Sequence, residues 1–169
     1  AEFIANKKHK LVLELCVGPS LKDLERCYKW HGIEVHGNDI DSRWKEYYPN
    51  GKWLLGDALK LNRNYDLSAY DLLVFAPPLS KGCSGTREDS LMIEQVQPSF
   101  YDFINNYNDF DGNIILTLPA RSLATSKDKA QLYKFLSFLS SNSWIYSLNP
   151  LYCAKKKVRK YLDVYLTKI

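Results

Sequence analysis

Three acidic residues stand where short apolar runs end: Glu14 in "LVLELCVGPSL", Asp39 in "GNDID" and Asp57 in "GDAL". Carboxylates in such places accept hydrogen bonds from hydroxyl, amino or ammonium groups. Asp39 follows Gly18 by 21 residues, the separation at which an acid after a second strand meets a ribose in α/β nucleotide sites. Between the first two acids the chain turns sharply at Gly18-Pro19-Ser20, and a further apolar run, "YDLLVFAPP", closes on Ala76-Pro77-Pro78. Each acid taken alone also suits a turn or a helix cap. Three in succession, in register with strand ends, point to one shared ligand.

The turn restricts that ligand. A pyrophosphate cradle needs G-x-G-x-x-G at a helix N-terminus, but Ser20 and Asp23 occupy the second and third glycine positions. A carboxylate in the first helical turn repels a pyrophosphate, and the G-x-x-x-x-G-K-[ST] loop is absent. An adenosine with a charged tail and no phosphates asks for less. One close backbone approach at Gly18 suffices, with Asp39 for the ribose and Asp57 for the adenine or its amino group. Glu14 would orient the loop or face the cationic end of the tail.

Positioning these residues requires alternating strands and helices. Strands are predicted at 11–16, 33–39, 52–58, 70–78, 112–120, 144–153 and 160–169. Helices are predicted from Leu21 to near Gly32 with Ser20 as N-cap and Asp23 completing a capping box, through "SRWKEYY", and from about Ser90 to Tyr107, kinked or divided at Pro98. Another is expected around Leu132, Phe135, Leu136 and Leu139. Residues 162, 164 and 166 alternate with 161, 163 and 165 as in a strand. The link from the sixth strand is too short for a crossover helix, so the last two strands form an antiparallel hairpin. The fold expected is α/β, a doubly wound, mostly parallel seven-stranded sheet with an antiparallel last strand. Ligands of such sheets bind beyond the carboxyl ends of the strands.

A chain of 169 residues, 46% hydrophobic and 25% charged, forms one domain, 1–169, able to bury a core without disulfides or metals. Cys16, Cys27, Cys83 and Cys153 form no CxxC pair, and His9, His31 and His36 have no metal-ligand spacing. Reduced cysteines, no apolar run that could span a bilayer and no secretory h-region predict a cytoplasmic protein. The net charge of +4 is modest, with the basic excess gathered in "AKKKVRKY". That favours anionic partners.

Taken together, these motifs resemble those of class I S-adenosylmethionine-dependent methyltransferases, over Leu11 to Ile169. "ELCVGPS" is similar to the family's first motif, with Cys16 and Ser20 where glycines are usual and Gly18 retained. "GNDID" is similar to the second and "GDAL" to the third, and "APPL" stands where the fourth lies. The resemblance implies S-adenosyl-L-methionine as cofactor, held by Glu14, Cys16, Gly18, Pro19, Ser20, Asp39, Ile40, Asp57, Ala58 and Ala76. It places Ala76, Pro77 and Pro78 beside the transferred methyl group, and it implies no metal. The chemistry would be an in-line displacement at a sulfonium methyl, resting on alignment and exclusion of water.

The fourth motif bears on the acceptor. Amino-group methyltransferases acting on adenine carry Asn/Asp/Ser-Pro-Pro-aromatic, whereas Ala76 brings no side-chain acceptor and Leu79 no stacking ring. The carbonyls of Ala76 and Pro77 remain available. The loop 79–89 would close over the site, with Lys81 and Arg87 meeting phosphate, Arg87, Glu88 and Asp89 as catalytic candidates by location, and Cys83 as a potential nucleophile. With the 155–160 basic cluster this predicts methylation of RNA, either tRNA or rRNA. The alternatives are a small-molecule or protein methyltransferase, or an inactive methyltransferase-like binding or scaffold domain.

Overall fold

The computed structural model describes residues 4, 7–18, 21–48, 51–77, 98–119, 126–153 and 158–169. Seven strands form one sheet: β1 Leu11–Leu15, β2 Glu34–Asp39, β3 Trp53–Leu55, β4 Leu72–Phe75, β5 Asn113–Pro119, β6 Trp144–Cys153 and β7 Val158–Lys168. Their order is β3-β2-β1-β4-β5-β7-β6. β1 to β5 run parallel, and β7 runs antiparallel to both β5 and β6. This is the sheet expected from the sequence, and the order reverses at β1/β4, where open α/β sheets leave a crevice.

Among the described residues, three α-helices flank it: α1 Leu21–Trp30, α2 Pro98–Asn106 and α3 Ser126–Ser141. α1 turns Tyr28 inward and ends in a Schellman motif, in which Ile33 N–H reaches the Tyr28 carbonyl and Gly32 N–H that of Lys29. Gly32 takes φ +69° there, which suits a residue without a Cβ. In α3, Leu132, Phe135, Leu136 and Leu139 are all buried, the i, i+3, i+4, i+7 stripe the spacing predicts.

Because helices cover both faces, the central strands are buried on both sides. Val12, Leu72, Val74, Ile115 and Tyr165 pack with Tyr28 on the α1 side. Leu13, Leu15, Phe75 and Leu116 pack with Phe100, Phe103 and Phe135 on the other. There Phe75 stacks on Phe103 at 4.3 Å and meets Phe100 edge-on at 5.6 Å. β7 shares this two-sided burial, with Val164, Tyr165 and Leu166 buried in succession.

Several predicted bounds require correction. β1 stops at Leu15, because Cys16 takes φ +59° and leaves the extended region. β3 ends at Leu55 and β4 at Phe75, both shorter than expected. "SRWKEYY" forms a 3-10 turn, Ser42–Tyr47, whose N-cap Asp41 accepts from the Arg43 amide. Ser20 and residues 90–97 lie outside the described residues, and α2 is described from Pro98, a position where proline costs a helix nothing. At the amino end of the sheet, Asp71 Oδ2 accepts from the Lys10 and Leu11 amides, while His9 lies between Asp71 and the Tyr165 hydroxyl. Burial lowers the His9 pKa, opposed by Asp71. Among the described residues, no helix is long and apolar enough to cross a membrane.

Candidate active site

The carboxyl ends of β1, β2 and β3 meet through side chains that tie one loop to the next. After β1, Gly18 turns with φ +54°, and a Cβ built there would meet none of the described residues within 4 Å. A side chain there would still be strained by the backbone. The Gly18 amide donates to Asp39 Oδ2 at 2.8 Å, and Asp39 Oδ1 accepts from the Asp41 amide at 3.0 Å. Asp39 thus braces two loops at once while remaining partly exposed.

Two residues not singled out by sequence reasoning complete this brace. The Tyr48 hydroxyl donates to the Gly18 carbonyl, and its ring stacks on Trp53 at 4.4 Å. Asn38, fully buried, donates to the carbonyls of Leu54 and Gly56 at 2.9 Å each, joining the ends of β2 and β3. The polar residue before Asp39 was a usable signal for Asn38. Tyr48 offered none, since its partner lies 30 residues away. Tyr48→Phe keeps the ring stack and removes one hydrogen bond. It should cost about 1 kcal/mol in urea unfolding.

Ile40 is 56% exposed, leaving an apolar side chain beside the Asp39 carboxylate. Asp57 begins a turn, its Oδ1 accepting from the Leu59 amide at 2.9 Å. Ala58 is buried, and its carbonyl accepts from the Tyr107 hydroxyl at 2.6 Å. Its methyl group belongs to the core, so only its backbone amide is left for a ligand.

Glu14 points to the α1 side and is buried. Its Oε1 accepts from the Tyr28 hydroxyl, an internal link from β1 to α1 that favours the loop-orienting role. Burial raises the Glu14 pKa to about 7, opposed by the Tyr28 hydrogen bond and reinforced by Asp163. Cys16 sits left-handed where the family uses glycine, a conformation that costs a side-chain-bearing residue about 1–2 kcal/mol. Cys16→Gly should raise stability by about 0.5–1 kcal/mol after the entropy that glycine gains in the unfolded chain, read from the denaturation midpoint.

Across the switch point, Leu15 pairs with Phe75, so Ala76 stands beside Cys16. Ala76 is partly exposed and Pro77 is buried. Pro19, Ser20, Pro78, Lys81, Cys83, Arg87, Glu88 and Asp89 lie outside the described residues. A separate cavity of about 490 Å³, lined by Tyr65, Asp66, Tyr70, Asp71, Phe110 and Asp111 among others, opens at the amino ends of β4 and β5. It is at the opposite end of the sheet from Gly18, Asp39 and Ala76.

No protein-family model matches the sequence, nor does any curated protein sequence. Solved structures do match. An S-adenosylmethionine-dependent methyltransferase from Archaeoglobus fulgidus superposes with TM-score 0.60 at 12% identity, over 99% of this chain and 94% of that one. The plantazolicin methyltransferase BamL, solved with a triazolic desmethylPZN analog and S-adenosylhomocysteine, gives 0.58 at 12% over 95% and 77%. A candidate rRNA methylase from Clostridium thermocellum gives 0.57 at 12% over 95% and 89%. The chain therefore has the class I methyltransferase fold.

Proposed function

We propose that this chain is an S-adenosylmethionine-dependent methyltransferase and that its acceptor is RNA. The observation carrying the cofactor half is the brace at the β1 and β2 ends, where Asp39 fixes the Gly18 turn and no described residue fills the space before Gly18. That space, a carboxylate and an exposed Ile40 suit an adenosine. Asp39 would accept from the ribose hydroxyls, Ile40 would cover the adenine, and Asp57 with the Ala58 amide would face its edge. S-adenosylmethionine supplies a methyl group on an already cationic sulfur. Ala76 and Pro77, at the neighbouring strand end, would line the methyl side and exclude water.

Support for RNA is electrostatic. β5 ends where Pro119 pairs with Tyr161, yet β7 begins at Val158. The Val158–Lys160 segment therefore runs past the last β5 pair by three residues, about 10 Å, at the carboxyl end of the sheet. The remaining lysines of the basic cluster, Lys155 to Lys157, lie in the adjoining link outside the described residues. Similarity to an rRNA methylase candidate agrees with this choice of acceptor.

Calorimetry with S-adenosylhomocysteine tests the cofactor, and micromolar binding is expected. Transfer of labelled methyl from S-adenosylmethionine to fractionated cell extract tests the acceptor. Label should enter RNA, and RNA affinity should fall steeply with salt. Label confined to protein or small molecules would replace the acceptor, while absence of cofactor binding would leave a scaffold domain.

A further inference from the structure

Asp163 is a partly exposed acid in the middle of β7, a strand whose neighbouring positions Leu162, Val164 and Leu166 are wholly apolar and buried. Register places it. Asp163 pairs with Thr117 of β5, and Leu116 of β5 pairs with Phe75 of β4. The next row up therefore runs Cys16, Ala76, Thr117, Asp163 across β1, β4, β5 and β7. Tyr165 and Ile115 pack on the α1 side, so Asp163 and Thr117, two residues further along their strands, share that face. Asp163 thus stands level with Ala76, two strand spacings away, about 10 Å.

The Asp163 carboxylate is costly to ionise where it stands. Its side-chain hydrogen bond is to the neutral Thr117 hydroxyl, at 2.8 Å. Burial raises its pKa, opposed by the Thr117 hydrogen bond and by the positive amino terminus, and burial prevails, so ionising it costs the fold stability. Glu14 of β1 and Tyr28 of α1 feel its charge, so two acids and a phenol share one region. Meanwhile Ala76, where amino-group methyltransferases keep a polar side chain, can hold nothing by its methyl group.

We infer that Asp163, oriented by Thr117, is the acceptor-holding carboxylate of this site, taking a hydrogen bond from the O–H or N–H of the group to be methylated. It supplies from β7, level with Ala76, the polar contact that β4 lacks. This assignment rests on the methyltransferase reading above.

The test uses the whole chain, tritium-methyl S-adenosylmethionine and total cellular RNA, with Asp163→Asn, Asp163→Glu and Thr117→Val. Asp163→Asn should bind S-adenosylhomocysteine within about twofold of wild type and melt at the same temperature or higher. Its kcat/KM for transfer should fall roughly 10- to 100-fold. Asp163→Glu should recover part of the loss, and Thr117→Val should lose less than Asp163→Asn. Transfer by Asp163→Asn at the wild-type rate would overturn the assignment. So would a fall of several degrees in melting temperature, which would mark Asp163 as a fold residue. If wild type labels another fraction instead of RNA, the same ratio is read on that fraction, and only the RNA acceptor is lost. If wild type labels nothing, the methyltransferase reading fails and this assignment falls with it.

Discussion

Asp39→Ala should all but abolish S-adenosylhomocysteine binding, lowering affinity roughly 100- to 10,000-fold. Two hydrogen bonds from ribose hydroxyls to a carboxylate amount to about 3–6 kcal/mol, and each 1.4 kcal/mol is tenfold in affinity. The same substitution removes the acceptors for the Gly18 and Asp41 amides, at 2.8 and 3.0 Å. Stability should therefore also fall, by about 1–3 kcal/mol. Asp39→Asn separates the two effects. Its amide oxygen can still accept from one loop, so most stability should return while affinity stays low, because the charge-assisted bonds to the ribose are gone. Calorimetry and urea unfolding of both variants check this. Wild-type affinity in Asp39→Ala would remove Asp39 from the cofactor site.

Glu14→Gln is expected to stabilise the protein at alkaline pH and to leave it little changed in acid. The Glu14 pKa rises from 4.5 to about 7 through burial first, with Tyr28 opposing and Asp163 adding. A raised carboxyl binds its proton more tightly in the folded state, so its stabilising contribution is complete below 4.5. It is lost as pH climbs through about 7. The full swing is about 3 kcal/mol, which for a chain of this size is roughly 6–12 °C in melting temperature. Glutamine carries no charge and can accept from Tyr28 in the same place. The difference in melting temperature between Glu14→Gln and wild type should therefore open between about pH 5 and pH 8. A constant difference across that range would contradict a buried, titrating Glu14. His9 titrates in the opposite sense, its lowered pKa weakening the fold as pH falls below its unfolded value. It is common to both proteins and largely cancels.

Much of the site was legible before the fold. A run of apolar residues ending in Gly18, an acid 21 residues on, and a third acid at Asp57 mark the ends of three successive strands. The β1, β2 and β3 ends do lie side by side, in the order the parallel topology requires. Strand positions were legible for the same reason as the core stripe of α3: apolar periodicity is local and survives in one dimension. Bounds were less so. Cys16 ends β1 by turning left-handed, although its side chain is small and apolar enough to read as a continued strand.

Pairings at a distance were hidden. Tyr28 lies within the predicted first helix, but its hydroxyl finds Glu14 only once α1 packs against β1. Tyr48 read as the end of a helix, whereas it anchors Gly18 from 30 residues away. β7 shows the limit most clearly. Its alternation at 161–166 is plain in the sequence, but that pattern does not say that β5 and β6 will flank it and leave Tyr165 buried with Leu166. By itself, the sequence determined where the strands lie and which acids stand near their carboxyl ends. Only the tertiary structure decided that Asp39 braces the turn, that Glu14 is dry enough to hold its proton near neutrality, and that Asp163 stands level with Ala76. These depend on register between strands far apart in the chain, and register is set by the packing of the whole sheet.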